Sequence, residues 1–453
     1  MTAASAARSD VVVIGAGPCG LGCVRELAQL GRDDVVVLES ADGPGGLAAS
    51  RTDPQGFTWD RGGHVVFSHH GEFDRLLDDV LGDEVLHHER SSWVLAAGTW
   101  VPYPFQNNLH RLPPDVAHEC LVGLVTASRD RGADTDFATW IRATFGPGIE
   151  RHFMAPYNEK VWATPLDRMS AAWIAERVSV VDWRDALATV LRRTDDVAWG
   201  PNNTFAFPAA GGTGEIWRRA AEPFDSGIRY GTAVASVDAE ERVVRTTDGG
   251  GWAYESLVST MPLDRLVAAV VDCPAEVRAA AASLVHNTVH VVGIGYEAPV
   301  TDDRSWLYFA DPDVPFYRAT NFAKYSPANV PDGDTARYSS WMCEVSSSPW
   351  RPLPPEDLGE RVEAALRATG VVSGTPGVAS VHVDEVPYAY PVPTRDRDAA
   401  LAVVLPWLDA RGIYSRGRFG TWRYEVGNMD HAVKMGVDVA RRIVADAPEE
   451  LVG

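Results

Sequence analysis

The sequence predicts an α/β fold built on a parallel β-sheet and interrupted by two insertions, one helical and one of antiparallel strands. Three observations predict this architecture. Residues 10–39 give a strand, a glycine turn, a helix and a second strand. From about 106 to 204, apolar residues recur at the three- and four-residue intervals of helices. Residues 287–345 are rich in β-branched and aromatic residues and alternate in polarity, which favours antiparallel strands.

The first strand–turn–helix–strand unit predicts a dinucleotide-binding, Rossmann-like domain. DVVVIG is a buried strand, GAGPCG supplies Gly15, Gly17 and Gly20, and DVVVLE closes a second strand on Glu39. Glycines let the backbone approach a pyrophosphate, and the N-terminus of the following helix stabilises its charge. An acidic residue at the end of the second strand accepts hydrogen bonds from ribose hydroxyls. This context makes G-x-G-x-x-G much more specific than the same motif alone.

A second glycine turn favours FAD over NAD as the dinucleotide. SADGPGGLAAS follows Glu39 directly and resembles the extension found at this point in FAD-binding flavoproteins of the amine-oxidase type. We therefore expect Gly45, Gly46 and Ser50 to contact the cofactor.

The chain of 453 residues is too long for one ordinary core. The pattern predicts a discontinuous FAD-binding domain over 1–105, 205–285 and 385–453. The helical domain is predicted at 106–204 and the antiparallel-sheet substrate domain at 286–384.

Composition excludes several classes of partner. A net charge of −21 argues against binding to nucleic acid or to anionic membranes, since both require a basic surface. Five scattered cysteines suit a reducing compartment, and neither a signal peptide nor a long apolar run is evident. We expect a cytoplasmic protein.

Beyond residue 100 the sequence resembles one family in detail. The matching stretches are GGHVVFSHHGEFD, WVPYPFQNNL, FMAPYNEKVWATP, WIAERV, WGPNNTFAFPAAGGTGEIW, LVSTMP, WLYF, PFYRATNFAKYSP, MCEVS, YPVPT and SRGRFGTWRYEVGN. They resemble the UDP-galactopyranose mutases, and the eukaryotic-type branch most. The resemblance implies interconversion of UDP-galactopyranose and UDP-galactofuranose without net redox. It also implies that N5 of reduced FAD attacks the anomeric carbon, and that NADPH or NADH is a transient reductant.

The resemblance also assigns roles to individual residues. Arg177 and Arg318 match a pair of arginines that bind the diphosphate, and with His64 they are the predicted catalytic residues. Tyrosines at four positions match those that hydrogen-bond the phosphates: Tyr308, Tyr325, Tyr390 and Tyr424. Positions around the uridine or the sugar are Tyr103, Gln106, Asn158, Trp162 and Asn202, and Arg90 matches an arginine near the path of the nicotinamide and the substrate. Positions beside the flavin are Arg418, Gly427 and Asn428.

The stretch RGGHVVFSHH at 61–70 carries three histidines and raises the question of a metal site. Their spacing is not that of a helical zinc site, and no cysteine or acid follows at metal-ligand spacing, so no metal is expected. The resemblance instead places Gly63 and His64 at the flavin, and Phe67 and His69 at the substrate cleft.

Two alternatives remain open on the sequence. A flavin oxidase or desaturase could use the same scaffold, because fold does not fix function. A mutase for a different NDP-sugar would have the same diphosphate-binding residues. The sequence also leaves open whether the protein is a monomer or a homodimer.

Overall fold

The computed structural model describes residues 6–128, 135–174, 178–197, 204–354 and 357–452. Its strands are β1 Ala7–Ile14, β2 Val35–Leu38, β3 Ser50–Thr52, β4 Thr58–Asp60, β5 Val85–Glu89, β6 Ser92–Ala96, β7 Thr99–Pro102, β8 Thr204–Pro208, β9 Ile228–Arg229, β10 Val234–Asp238, β11 Val243–Thr246, β12 Gly251–Ser259, β13 His286–Glu297, β14 Trp306–Phe309, β15 Arg318–Asn321, β16 Ser339–Ser347, β17 Gly377–Pro391 and β18 Ile413–Ser415. Its helices are α1 Pro18–Gln29, α2 Gly71–Leu81, α3 Pro114–Thr126, α4 Phe137–Ile149, α5 Ala155–Trp162, α6 Trp183–Arg192, α7 Gly214–Ala221, α8 Leu263–Ala269, α9 Ala275–Ala282, α10 Leu358–Ala368, α11 Arg397–Asp409 and α12 Met429–Ala445.

The first sheet is the predicted parallel sheet. β1 lies between β2 and β12 and pairs in parallel with both, and β9 and β18 extend the parallel arrangement. β10 and β11 add an antiparallel edge. Residues 11–14 are buried, as expected for a β-branched strand covered on both faces. Helices α1 and α12 pack closely because Gly436 has no Cβ; one there would lie 2.1 Å from the carbonyl oxygen of Cys19.

The helical insertion contains α3 to α6, and one part of it departs from the prediction. We expected helix to run through MSAAWIAERVSVVDW. The described residues 169–174 and 178–182 are not helical, and α6 begins only at Trp183. Asp182 caps α6 by accepting a hydrogen bond from the backbone N–H of Arg184, so the helix cannot extend further back.

The second sheet is antiparallel apart from one parallel pairing, and it has the order β17-β13-β16-β15-β14-β6-β7. It extends beyond the predicted range 286–384, because the β6–β7 hairpin joins its edge by parallel pairing of β6 with β14. β17 also continues to Pro391. The local periodicity of a sequence does not indicate which distant strands pair, so it could not predict that β6 joins this sheet.

Within the described residues, no helix is both long enough and apolar enough to cross a bilayer.

Candidate active site

The two glycine turns meet at the N-terminus of α1. Gly15 has φ +102°, and a Cβ on Gly20 would lie 1.9 Å from the carbonyl oxygen of Gly15, so both positions require glycine. The backbone N–H of Gly45 donates to the carbonyl oxygen of Ala16 at 2.9 Å. This bond brings the second turn against Gly17, whose Cβ position is free of contacts closer than 3.8 Å. The result is a backbone cradle without side chains, as a pyrophosphate requires.

Glu39 lies at the end of β2 beside this cradle, as predicted. One carboxylate oxygen accepts a hydrogen bond from the N–H of Ala16 at 2.7 Å, and the other accepts from the N–H of Ala41 at 2.8 Å. These bonds fix the position of the carboxylate. Oε1 also accepts from the Ser40 hydroxyl at 3.3 Å, so Oε2 is the oxygen that retains a lone pair for a ribose hydroxyl. The chemistry of cradle and acid therefore fits the adenosine diphosphate half of FAD.

Ser50 is engaged with protein atoms. Its hydroxyl donates to Asp60 at 2.5 Å and accepts from the N–H of Gly214 at 2.7 Å. Asp60 also accepts from Thr213, and burial raises the pKa of Asp60 to about 7. The observed contacts therefore tie β3 and β4 to α7, and contact between Ser50 and the cofactor stays a prediction.

Glu344 on β16 connects the histidine loop, residues 61–70, to the predicted diphosphate arginine. It is 1% exposed. One oxygen accepts from the backbone N–H of Gly63 at 2.6 Å. The same oxygen accepts from Nε of Arg318 at 2.9 Å, and Nη2 of Arg318 donates to both oxygens at 2.5 Å. The hydroxyl of Tyr317 donates to the second oxygen. Sequence reasoning missed Glu344, although a lone acid inside the apolar strand MCEVS was a usable signal.

The Arg318–Glu344 pair stays ionised inside the protein. Burial alone would raise the pKa of Glu344, but Arg318 and the other donors hold it below its ordinary value. Conversely, Glu344 overcomes the effect of burial and raises the pKa of Arg318. The bonds to Glu344 use Nε and Nη2, and Nη1 has no hydrogen-bond partner among the described residues. The guanidinium therefore has one edge fixed and one nitrogen available for an anion.

His64 is neutral at physiological pH. Burial is the main cause that lowers its pKa to about 4, and the positive charge of Arg418 adds to the effect. Its Nδ1 is buried and has no hydrogen-bond partner in the described part of the chain. A buried polar atom normally has a partner, so a bound group is expected to face this ring.

A second guanidinium and a group of aromatic rings lie next to Arg318. Arg90 and Arg318 each lie 4.6 Å from the centre of the Trp306 ring. Arg90 donates to the hydroxyl of Tyr308 at 3.2 Å, and the Tyr308 ring is 5.2 Å from that of Tyr103. The arrangement offers two cations and phenolic hydroxyls to an anion with several oxygens. Tyr157, which the prediction omitted, completes the group at 5.3 Å from Tyr308.

Tyr390 links Arg318 to the last predicted residues. Its hydroxyl is 3.4 Å from that of Tyr317, and Arg418 lies 5.7 Å from its ring. The rings of Trp162 and Tyr424 lie against it at 6.0 and 5.6 Å. Arg418 in turn donates to the carbonyl oxygen of Gly427 at 2.7 Å, and Asn428 then occupies the N-cap position of α12. The C-terminal segment thus returns to the site.

Two predicted residues have their polar atoms directed elsewhere. Gln106 donates to the backbone carbonyl of Ser179, and Asn158 donates to that of Met154 in its own chain segment.

Tyr325 is fully buried against Phe205 and Phe207, and its hydroxyl has no hydrogen-bond partner among the described residues. Burial raises the pKa of this hydroxyl, and the nearby charges of Arg90 and Arg318 oppose that rise. Contact between Tyr325 and a phosphate stays a prediction.

Two further predicted residues lie on the outer part of the histidine loop. The ring of Phe67 is 5.6 Å from that of His69. His69 is 44% exposed and bonds to Asp430 through Nδ1 at 3.0 Å. Arg177 and Asn202 lie outside the described residues.

Comparison with known proteins agrees with this geometry. The profile of the family described as flavin containing amine oxidoreductase matches residues 18–444. A solved structure of reduced UDP-galactopyranose mutase is 38% identical, covers 98% of this chain and 96% of its own, and superposes with a TM-score of 0.94.

Two further structures share the fold at lower identity. A putative protoporphyrinogen oxidase from Exiguobacterium sp. 255-15 is 16% identical over 97% of this chain and 99% of its own, with a TM-score of 0.73. The CLA-producing fatty acid isomerase from P. acnes is 15% identical over 96% of this chain and 99% of its own, with a TM-score of 0.64.

Proposed function

The chain belongs to the UDP-galactopyranose mutase family within the flavin-containing amine oxidoreductases, and we propose that it interconverts UDP-galactopyranose and UDP-galactofuranose. The observation that carries this proposal is the pair of guanidinium groups, Arg90 and Arg318, each 4.6 Å from the centre of the Trp306 ring. A diphosphate leaving group needs positive charge where its negative charge develops. An amine or apolar substrate would not need it.

FAD fits the residues present. The glycine cradle and Glu39 would hold its adenosine diphosphate half, while Gly63, His64, Arg418, Gly427 and Asn428 would lie near its isoalloxazine ring. When bound and reduced, FAD would supply N5 as the nucleophile that attacks the anomeric carbon. We also propose NADPH or NADH as the reductant.

The protein's own residues would position the substrate and stabilise the departing UDP. Arg318 would bind phosphate oxygens through Nη1 while Glu344 holds the rest of its guanidinium. Arg90 and Tyr308 would contact the same diphosphate. His64, with its pKa lowered to about 4, would act as a neutral ring beside the flavin and not as a charged acid. Arg177 would also bind the diphosphate.

The proposed location is the cytoplasm, which suits the five buried cysteines, all of them free thiols.

The test is turnover of UDP-galactofuranose by purified protein that has been reduced with dithionite. We expect UDP-galactopyranose to form over many turnovers after one reduction, and the oxidised protein to be inactive. Equal activity of the oxidised protein would refute the N5 mechanism. Stoichiometric consumption of oxygen would indicate an oxidase, and isomerisation of another NDP-sugar alone would correct the substrate.

A further inference from the structure

A cluster of ligating side chains lies where the histidine loop meets the start of α12. It consists of His69 and His70 from the loop and Asp430 and His431 from the first turn of the helix; we refer to it as the loop–helix cluster. The ligating atoms of His69, Asp430 and His431 all lie within 4.8 Å of one another. The ring of His70 is 5.3 Å from that of His431. Four side chains that commonly bind metals thus converge from two elements.

The spacing of these atoms is that of a coordination shell. Nδ1 of His69 is 3.0 Å from one oxygen of Asp430, and Nδ1 of His431 is 3.0 Å from the other. Around a tetrahedral cation with bonds of about 2.0–2.1 Å, neighbouring ligand atoms are about 3.3 Å apart. Small side-chain shifts would therefore admit an ion between the rings and the carboxylate.

Hydrogen bonding within the protein leaves one nitrogen of the cluster unsatisfied. One oxygen of Asp430 accepts from the ring and the backbone N–H of His69. Nδ1 of His431 lies 3.0 Å from the other oxygen of this fully buried carboxylate, so both rings are paired with Asp430. Nε2 of His70 is buried and has no hydrogen-bond partner among the described residues. Buried polar atoms are rarely left unpaired, so the carboxylate–histidine pairs do not account for the His70 ring, whereas a cation bound beside it would.

The charges around the cluster permit a cation. Lys434 is nearby, but its ammonium group is paired with Asp438 at 2.7 Å and with Glu450 at 3.1 Å. Asp430 offsets the positive end of the α12 dipole. His69 is 44% exposed and gives a route of entry from solvent.

We infer that the loop–helix cluster binds one divalent cation of the Zn²⁺, Co²⁺ or Ni²⁺ class. Two imidazoles and one carboxylate, with the His70 ring beside them, suit these ions and not Ca²⁺ or Mg²⁺, which prefer oxygen ligands alone. The cation would fasten the histidine loop to α12, and these two elements flank Gly63, His64, Gly427 and Asn428. The inference does not rest on the proposed reaction.

The spacing within the loop did not predict this site because half of the ligands are distant in sequence. Asp430 is 361 residues from His69. The expectation of no metal considered ligands near the loop, whereas the fold supplies the missing acid and a third imidazole from the C-terminal helix.

Zinc binding by the flavin-loaded protein tests the inference. The affinity tag is removed, metals are stripped with EDTA, and Zn²⁺ is titrated in competition with a chromophoric chelator. Retained zinc is then measured by elemental analysis after gel filtration. We expect one equivalent of zinc, and at least about tenfold weaker binding in both His431→Gln and His69→Gln. His87→Gln is the matched control, since His87 is an exposed histidine on β5 outside the cluster.

Flavin content and melting temperature show that each variant is folded. His69→Gln alters an exposed side chain, so it remains informative if His431→Gln misfolds. Failure of the unmodified protein to retain zinc would overturn the inference, and so would equal retention by the folded His69 variant. Mutase activity is not needed for either measurement.

Discussion

The substitution Glu344→Gln removes one charge from the interior while keeping the size of the side chain. Glu344 accepts hydrogen bonds from Arg318, from Tyr317 and from the backbone N–H of Gly63. Glutamine has one acceptor oxygen in place of two, so at least one of these donors will face an amide N–H group. The guanidinium of Arg318 will also lose its counter-ion. We predict a less stable holoenzyme.

The expected loss is about 3 kcal/mol. Breaking a buried ion pair by removing one partner costs about 3–5 kcal/mol. Glutamine retains one acceptor and leaves no cavity, which places the cost at the lower end of this range. The side chain of Arg318 is 15% exposed, so water can partly solvate its charge. Since the effect of a given free energy on Tm falls with chain size, we expect a shift of about 3–6 °C.

The pH dependence of the difference in Tm between the wild type and the variant provides a second, independent test of this prediction. Arg318 holds the pKa of Glu344 below its ordinary value despite burial. A lowered folded-state pKa stabilises the protein above the unfolded pKa of about 4.3, and this contribution is lost as the pH falls through the folded value. The difference in Tm between the wild type and the variant should therefore be constant near neutral pH and should narrow below about pH 4.3.

The assay is release of flavin fluorescence on heating at a fixed scan rate. Glu385→Gln is the matched control, because Glu385 is an exposed acid on β17, two strands away from β16 in the same sheet. Its Tm should change by no more than about 1 °C, as expected for a surface substitution. If the Glu344 variant behaves like this control, or if the difference widens on acidification, the buried pair does not stabilise the site as argued.

Three further predictions concern the reaction and the cofactor. Arg318→Ala should lower turnover at least about tenfold, because a charge-assisted hydrogen bond contributes about 1.5–3 kcal/mol; steady-state kinetics of the reduced enzyme checks this, and unchanged kinetics would contradict the assignment. The pKa of His64 is lowered to about 4, so only the unfolded chain is protonated between this value and 6.5. Wild-type Tm should therefore fall on acidification through this window, and His64→Asn should lessen the fall. Glu39→Gln should reduce the flavin-to-protein ratio of the purified enzyme, since its amide must face the N–H of Ala16 or Ala41; a normal ratio would contradict its role.

Local sequence predicted the parts of the site that contiguous residues build. The glycine turn, α1 and the acid at the end of β2 are formed within residues 10–39, and each is placed by its immediate neighbours. The same reasoning found the glycine turn between β8 and α7. It failed for 169–174 and 178–182, where an apolar pattern is buried without forming a helix. Periodicity reports burial, and it does not report whether the backbone hydrogen bonds are helical.

Local sequence patterns could not predict which residues meet through the pairing of strands that are distant in sequence. Arg318 and Glu344 are directly opposite each other in the β15–β16 register. Their separation along the chain reveals nothing of this pairing, which depends on the intervening 3₁₀ turns between Phe322 and Gly333. The β6–β7 hairpin likewise brings Arg90 to Tyr308 only because β6 pairs with β14.

This cross-strand arrangement explains how a buried acid can belong to a site for an anionic substrate. Glu344 would repel a diphosphate if it stood alone, but its charge is matched by Arg318 at hydrogen-bond distance. Arg90 adds a second guanidinium at the same Trp306 ring, while Glu344 fixes the direction of the Arg318 guanidinium. Both strands are central in a seven-stranded sheet, so little reorganisation is needed when charge develops on the leaving group. The bond from Gly63 to Glu344 joins this rigid sheet to the loop that is proposed to face the flavin, and it fixes the position of one relative to the other.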